Sequence, residues 1–228
     1  MQKQTKSKFN LVYMIIRIII VLAIISYTTI YIIKGEKEEF SEFKFNMYQL
    51  LLLFVFTYVP DLIEYVFKVK IPIYMLILYL LFIFCHFILG EIYGFYATVK
   101  LWDVVLHSTT VIIITIVGVS IIYILAKEGK IKFIPILLFV CPICFSMTIE
   151  VVWEMIEFSS DVILKTNMQR YNNSITGEPF IGQKALLDTM KDLIVDFVAA
   201  TITSLLAYID AKKEKYNFKN WILLKQEK

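Results

Sequence analysis

Six long apolar runs restrict what this 228-residue chain can fold into. They fall at residues 10–33, 47–67, 71–90, 104–126, 133–158 and 187–209. Each run is close to the roughly 20 residues that a helix needs to cross the hydrocarbon core of a bilayer. Because backbone polar groups in lipid must be satisfied within the chain, such runs form helices. The sequence therefore predicts an all-α, polytopic membrane bundle with about six transmembrane helices.

Composition and cysteine usage exclude two other classes of protein. Hydrophobic residues make up 59% of the chain, which is more than the roughly 45–50% of ordinary soluble domains. Cys85, Cys141 and Cys144 all lie in apolar stretches, so they do not indicate the disulfide framework of a small secreted protein. We expect membrane lipids as partners and no nucleic acid; the sequence does not specify the oligomeric state.

The distribution of lysine and arginine predicts the orientation of the bundle. With the N-terminus in the cytoplasm, fourteen basic residues lie on the cytoplasmic side and eight on the opposite side, leaving out Arg17 inside the first run. Cytoplasmic loops of membrane proteins carry such an excess. We therefore predict a basic cytoplasmic N-terminus at 1–9, a transmembrane domain at 10–209 with an outer loop at 159–186, and a basic cytoplasmic tail at 210–228.

Two of the predicted helices carry carboxylates at helical spacing. At about 100° per residue, the acids of EVVWEMIEFSSD share one narrow stripe, and those of DTMKDLIVDFVAA follow a single face. The acids are Glu150, Glu154, Glu157 and Asp161 in the first segment, and Asp188, Asp192 and Asp196 in the second. Ionisable groups at membrane depth are costly and usually face a bundle interior or a watery cavity. Both segments are therefore candidate functional regions.

The predicted topology brings these acids to the outer half of the bundle together with both histidines of the chain. His86 and Glu91 lie near the outer end of the third span, and Asp103 and His107 lie at the start of the fourth. Because like charges repel and burial penalises ionised carboxylates, a bound divalent cation would stabilise such a group. Asp103 and His107, at i and i+4, lie on one helix face and can ligate the same ion.

The same reasoning assigns candidate roles to individual residues. The predicted metal ligands are Asp103, His107, Glu150, Glu154, Glu157, Asp192 and Asp196. The candidate catalytic residues are Asp103, His107, Glu154 and Asp192, and the candidate substrate contacts are His86 and Arg170. Mixed oxygen and imidazole ligation suits Mn, Fe or Zn, whereas carboxylates alone suit Mg or Ca. Glu91, Asp161 and Asp188 have the alternative interpretation of solvated helix ends.

Polar residues in the second span are interpreted as structural. Pro60 is expected to kink the helix and free backbone carbonyls. Asp61 and Glu64 are expected to pair with Lys68 or Lys70.

Two further features are expected to meet the membrane surface. Arg17 in the first span is expected to extend toward the basic N-terminal flank. The tail beyond Asp210 is basic and contains Tyr216, Phe218 and Trp221, which fits an anionic inner leaflet.

Three sequence blocks resemble a known family. WDVVLH at 102–107, the WE-x-x-E within EVVWEMIEFSSD, and DTMKDLIVDFVAA resemble the signature blocks of the YjdF-like bacterial membrane proteins of unknown function. The Pro60 region and HFILGEIYGFY at 86–96 also fit, so the resemblance runs from about Pro60 to Ala200. It implies a multi-pass protein of a bacterial cytoplasmic membrane, in which these positions matter, and no established reaction.

A more distant likeness is to VanZ-like proteins, which are linked with glycopeptide resistance. It rests on the order D-x-x-x-H, then acids on a later helix, then D-x-x-x-D on the last. Asp196 and Ala199 stand where that pattern has Asn and Gly.

These observations lead to one functional hypothesis and two rivals. The first is an outward-facing carboxylate and histidine site in a metal-dependent enzyme that acts on a lipid- or envelope-linked phosphate. The second is a cation- or proton-coupled transporter that uses the same acids as a relay. The third is a non-catalytic membrane partner protein whose polar residues fix helix packing.

Overall fold

The computed structural model describes residues 2–34, 40–173, 176–213, 216–220 and 222–225. Parts of the predicted outer loop (174–175) and basic tail (214–215, Trp221 and 226–228) lie outside these described residues, as does Met1. The protein is 79% helical, which confirms the all-α prediction.

The helices follow the six apolar runs. In chain order they are α1 (Gln2–Lys34), α2 (Phe40–Phe56), α3 (Val59–Phe67), α4 (Ile73–Phe84), a π-helical segment (Cys85–Ile92), α5 (Phe95–Thr98), α6 (Trp102–Lys127), α7 (Leu137–Leu164), a 3₁₀ segment (Gly182–Leu186), α8 (Leu187–Lys212) and a second 3₁₀ segment (Asn217–Asn220). Two strands of two residues each occur, β1 (Val69–Lys70) and β2 (Leu224–Lys225).

Six stretches are long and apolar enough to cross a membrane. They are Leu11–Ile33, Glu42–Phe67, Ile73–Ile92, Trp102–Lys127, Leu137–Ile163 and Gly182–Lys212. Each coincides with one predicted run, so the six spans are confirmed, with ends shifted by several residues. The described chain forms two compact units, Met1–Trp102 and Asp103–Lys225.

The first unit has an apolar core, and its second span is interrupted between α2 and α3. Ile20, Leu53, Ile83 and Phe87 form the buried core. The span breaks between α2 and α3 because Pro60 has no N–H to donate to the carbonyl of Phe56. Tyr79 donates its hydroxyl to that carbonyl instead, at 2.9 Å. The predicted kink with a freed carbonyl is confirmed.

Arg17 reaches the same break. It donates to the carbonyl of Thr57 at 2.7 Å and to Asp61 at 2.5 Å. Its guanidinium carbon lies 3.8 Å from the ring centroid of Tyr58. The partner of Asp61 is therefore Arg17, instead of Lys68 or Lys70. The guanidinium carbon of Arg17 also lies 5.4 Å from the ring centroid of Tyr13, one turn toward the N-terminus, and its extension to the basic flank stays a prediction.

In the second unit, small residues let the helices approach closely. A buried seam of Ala200, Ser204, Ala207 and Ala211 runs along α8, at the spacing that allows tight packing between membrane helices. Gly118 of α6 meets the Pro142 turn of α7, where an added Cβ would lie 3.0 Å from the proline Cα.

The segment after α8 folds back onto α6. Phe218 and Ile222 are fully buried. The backbone N–H of Phe218 donates to Asp210 at 2.9 Å, and that of Leu223 donates to the hydroxyl of Ser120 at 2.9 Å. The expectation that Phe218 meets the lipid leaflet is therefore wrong, because its ring packs inside the second unit against Tyr123.

Candidate functional site

Buried carboxylates from three helices meet at one end of the second unit. The first turns of α6 carry Asp103, the second half of α7 carries Glu150 and Glu154, and the first half of α8 carries Asp192 and Asp196. All five residues are less than 9% exposed. Helices α7 and α8 pack against each other. They are antiparallel, since early Phe139 meets late Tyr208 and late Glu150 lies near early Asp196.

His107 lies among these acids, and each of its two ring nitrogens faces a different carboxylate. Its Nδ1 lies 3.3 Å from Asp196 Oδ2, and its Nε2 lies 3.8 Å from Asp103 Oδ1. The side chain is 12% exposed. One imidazole therefore separates two groups of carboxylates.

Two sets of three donors have metal-site spacing. In one, which we call the Asp196 triad, donor atoms of His107, Glu150 and Asp196 all lie within 4.8 Å of one another. The other, the Asp103 triad, consists of Asp103, His107 and Asp192 and meets the same distance limit. The pairing of Asp103 with His107 was predicted from their i, i+4 spacing, and the structure adds the α8 and α7 partners.

The two triads differ in the basic groups that face them. Lys191 Nζ lies 3.3 Å from Asp103 Oδ2 and 3.5 Å from Asp192 Oδ1. Arg170 lies 3.7 Å from Asp103 and equally far from Asp188. Among the described residues, no lysine or arginine forms an ion pair with Glu150 or Asp196. Within the described ranges, His107 is therefore the basic residue that faces the negative charge of the Asp196 triad.

Several carboxylate oxygens at the site are buried and accept no hydrogen bond from the described residues. They are Glu150 Oε1, Glu154 Oε1, Asp192 Oδ1 and Asp196 Oδ1. A buried acceptor without a donor costs free energy, and such atoms in a folded protein call for an explanation such as an ion or water. Lys191 lies near the Asp192 oxygen at ion-pair distance, whereas the Glu150 and Asp196 oxygens have no such neighbour in the part of the chain that the structure describes.

The remaining acids of the two segments already have donors. Asp161 accepts hydrogen bonds from the hydroxyl of Thr166 at 2.7 Å, from the N–H of Met168 at 2.7 Å and from the N–H of Gln169 at 3.0 Å. It therefore fixes the loop that follows α7, and it is not a solvated helix end, since the residue is only 4% exposed. Glu157 accepts from the indole N–H of Trp153 at 2.9 Å.

Two residues of the site, Gln169 and Lys191, were not predicted from the sequence. Gln169 donates its amide to Glu154 at 3.2 Å and to the hydroxyl of Thr189 at 2.9 Å, and so joins the loop to α7 and α8. Lys191 was counted among the outer basic residues near the acids and was given no role in the site. Its position three residues after Asp188 is the signal that indicates a local ion pair.

His86 and Glu91 belong to the first unit. His86 lies in the π-helical segment, with its Nδ1 2.5 Å from the hydroxyl of Tyr96. Glu91 lies 3.4 Å from the side-chain amide of Gln49, which donates to it. The assignment of His86 as a substrate contact stays a prediction.

Most of the chain, including the acids of the site and, except for Leu11, all six spans, matches one known family. Residues 12–213 match a family described as "Predicted membrane protein (DUF2238)". The chain belongs to this family. It is the YjdF-like family that the sequence blocks indicated, and its members are multi-pass membrane proteins of unknown function. No curated protein and no solved structure matches the chain. The more distant VanZ-like resemblance stays a prediction.

Proposed function

We propose that this membrane protein binds a divalent cation in the Asp196 triad, with His107 Nδ1, Glu150 and Asp196 as ligands. The observation that carries the proposal is the pair of buried oxygens, Glu150 Oε1 and Asp196 Oδ1, that accept no hydrogen bond from the described residues. Both residues lie within the donor spacing of His107. A divalent ion would give these atoms a partner and cancel their charge.

The surrounding residues fit the support that a metal site requires. A histidine that ligates through one ring nitrogen commonly donates its other N–H to a carboxylate. Asp103 is that carboxylate, since it faces His107 Nε2. Asp103 is itself held by Lys191 and Arg170. Of the seven predicted metal ligands, we therefore assign His107, Glu150 and Asp196 to the ion and Asp103 to orienting the histidine.

The test is the metal content of protein purified in a mild detergent and equilibrated with Mn²⁺. Wild type is expected to hold about one ion per chain, as a three-ligand site does. The double variant Glu150→Gln, Asp196→Asn should hold a negligible amount. Glu178→Gln is the matched control, since Glu178 is an exposed acid in the loop after α7, and it should behave as wild type. Negligible metal in wild type and double variant alike would refute the proposal.

We further propose that the bound ion serves chemistry on a lipid- or envelope-linked phosphate. A divalent ion polarises a phosphoryl oxygen or lowers the pKa of a bound water. Glu154 is the candidate general base, because its Oε1 is buried and accepts no hydrogen bond from described residues. Arg170, whose side chain is 31% exposed, is the candidate phosphate contact. Asp192, the other candidate catalytic acid on α8, forms an ion pair with Lys191 at 3.5 Å.

Phosphate release from phosphatidic acid and from a polyprenyl diphosphate in mixed micelles tests this second step. Release should require Mn²⁺ and be lost in Glu154→Gln but not in Glu178→Gln. Metal binding without release from either lipid would contradict the enzymatic step and leave the cation site standing. The rival transporter hypothesis would need the interrupted second span to offer backbone carbonyls to an ion. The carbonyls of Phe56 and Thr57 already accept hydrogen bonds from Tyr79 and Arg17, so this break does not favour transport.

The excess of lysine and arginine on the predicted cytoplasmic side supports an outward-facing site with both termini in the cytoplasm. A cysteine in place of Glu178 should then react with a membrane-impermeant maleimide added to intact cells. Reaction only after the membrane is opened would reverse the orientation.

A further inference from the structure

A lysine side chain already occupies a pocket of acids beside the proposed metal. Lys191 Nζ lies 3.3 Å from Asp103 Oδ2, 3.5 Å from Asp192 Oδ1 and 4.0 Å from Asp188 Oδ1. The three carboxylates come from α6 and from two turns of α8. Their side chains are 10%, 3% and 15% exposed. The ammonium group is thus a cation surrounded by oxygen donors that are largely shielded from water.

The carboxylate oxygens around this ammonium group are of the kind that ligate a metal ion. Asp103 and Asp192 belong to a triad whose donor atoms lie within 4.8 Å of one another. Asp192 is 2% exposed, and its Oδ1 accepts no hydrogen bond from the described residues although Lys191 lies at ion-pair distance. Carboxylate oxygens alone suit hard divalent ions such as Mg²⁺ or Mn²⁺. A metal at the nitrogen position would lie 3.3 to 4.0 Å from these oxygens, so the acids would have to close in by about 1–2 Å to ligate it.

His107 supplies a ligand to only one of the two positions. A neutral imidazole has one lone pair and one N–H. If Nδ1 ligates an ion in the Asp196 triad, Nε2 carries the proton and faces Asp103. The neighbouring position is therefore an all-oxygen one, made by Asp103, Asp188 and Asp192.

We propose that the Lys191 ammonium is a built-in occupant of a second divalent-cation position and limits the protein to one ion. The inference rests on the proposed function, since it presupposes an ion in the Asp196 triad. Removing the lysine charge leaves Asp103 and Asp188 facing Arg170 at 3.7 Å, and Asp192 without a lysine or arginine ion pair among the described residues. A second divalent ion then replaces the lost charge.

Mn²⁺ binding by the full chain in detergent tests the proposal. Wild type should bind one ion, and Lys191→Met should bind two. We expect at least about a tenfold tighter second binding step in Lys191→Met than in wild type, which corresponds to about 1.4 kcal/mol. Lys184→Met is the matched control. Lys184 lies 3.9 Å from the ring centroid of Phe180 and forms no ion pair with the acids among the described residues, so this variant should bind one ion.

A second measurement neutralises the lysine after folding. Lys191 is 36% exposed, so acetylation of the folded protein reaches it. Acetylated wild type should bind two ions, whereas acetylated Lys191→Arg, which keeps a charge that acetylation does not remove, should bind one.

The outcomes separate the two proposals. One ion in wild type together with one in both Lys191→Met and acetylated wild type would overturn the second position alone, and Lys191 would then act only in tying α6 to α8. No ion in wild type would overturn the cation site and, with it, this inference.

Discussion

Arg17 and His107 both lie on membrane-spanning helices and both face carboxylates. The residues around Arg17 and those around His107 differ in how many of their polar atoms have hydrogen-bond partners. Around Arg17, one cation meets one acid, and the guanidinium donates to the Thr57 carbonyl as well as to Asp61. Around His107, at least five buried carboxylates from three helices converge, and four of their oxygens accept no hydrogen bond from the described residues.

The difference separates a structural group from a functional one. A polar group whose donors and acceptors are matched rigidifies a fold, whereas a partly matched one is costly unless something else completes it. The Arg17 group closes the break before Pro60 with atoms of the chain itself. The His107 group leaves buried carboxylate oxygens that the described residues do not match, and the proposed cation would complete it.

The largest expected effect is the response of stability to metal. At a free Mn²⁺ concentration about 100 times the Kd, wild type should gain about 2.7 kcal/mol in free energy of unfolding, because the ion binds only the folded state. The double variant Glu150→Gln, Asp196→Asn should gain nothing. Thermal unfolding in detergent with and without Mn²⁺ measures this, and an equal gain in both proteins would place the ion elsewhere.

Arg17→Met should lower the free energy of unfolding by about 2 kcal/mol, the scale of hydrogen bonds to a charged group. The loss comes mainly from the Thr57 carbonyl, because Asp61 is 62% exposed and its ion pair is screened by solvent. Mn²⁺ binding should be unchanged. Arg17→Lys, which keeps the charge, should lose less. An unchanged free energy of unfolding in Arg17→Met would show that the guanidinium hydrogen bonds contribute nothing.

Asp161→Asn should cost about 1.5 kcal/mol, since a neutral amide accepts hydrogen bonds less strongly than a carboxylate. Its amide nitrogen would also face an N–H of the loop. The metal content should stay at the wild-type level, because Asp161 is matched by Thr166, Met168 and Gln169. Loss of metal with unchanged stability would show that Asp161 is a metal ligand and that its hydrogen bonds to the loop do not stabilise the fold.

The smallest effect has the opposite sign. In metal-free protein, Glu150→Gln should raise the free energy of unfolding by about 1 kcal/mol, the low end of what replacing buried ionic groups gives. The reason is that a buried charge, whose Oε1 accepts no hydrogen bond from the described residues, is removed from beside Asp196. Chemical unfolding in the presence of a chelator measures it, with Glu178→Gln as the neutral reference. Destabilisation would mean that the acid has a partner in the metal-free protein.

The sequence predicted the spans and the residue types of the site better than their pairing. Apolar runs of about 20 residues determine helices directly, because lipid leaves the backbone no other partner. The i, i+4 spacing of Asp103 and His107 placed both residues on one face of α6. Their contact with α8 depends on how the helices rotate about their axes, which local spacing does not encode.

Three residues whose partners were not predicted show the same limit. Arg17 was assigned to the N-terminal flank and Phe218 to the lipid surface, because each type has a strong interfacial preference when considered alone. Their tertiary partners are distant in the sequence, since Asp61 is 44 positions from Arg17 and Tyr123 is 95 positions from Phe218. Asp161 resembled its neighbours in the acidic stripe, and only the path of the following loop distinguishes it.

The folded-back segment after α8 also bears on how the protein is made. Phe218 and Ile222 fill space against α6, and Leu223 satisfies the buried hydroxyl of Ser120. Helix α6 therefore leaves the ribosome about one hundred residues before its partners do, as Ser120 and Leu223 are 103 positions apart. Until residue 223 has been synthesised, that end of α6 lacks the contacts that Phe218 and Leu223 make with it in the folded protein.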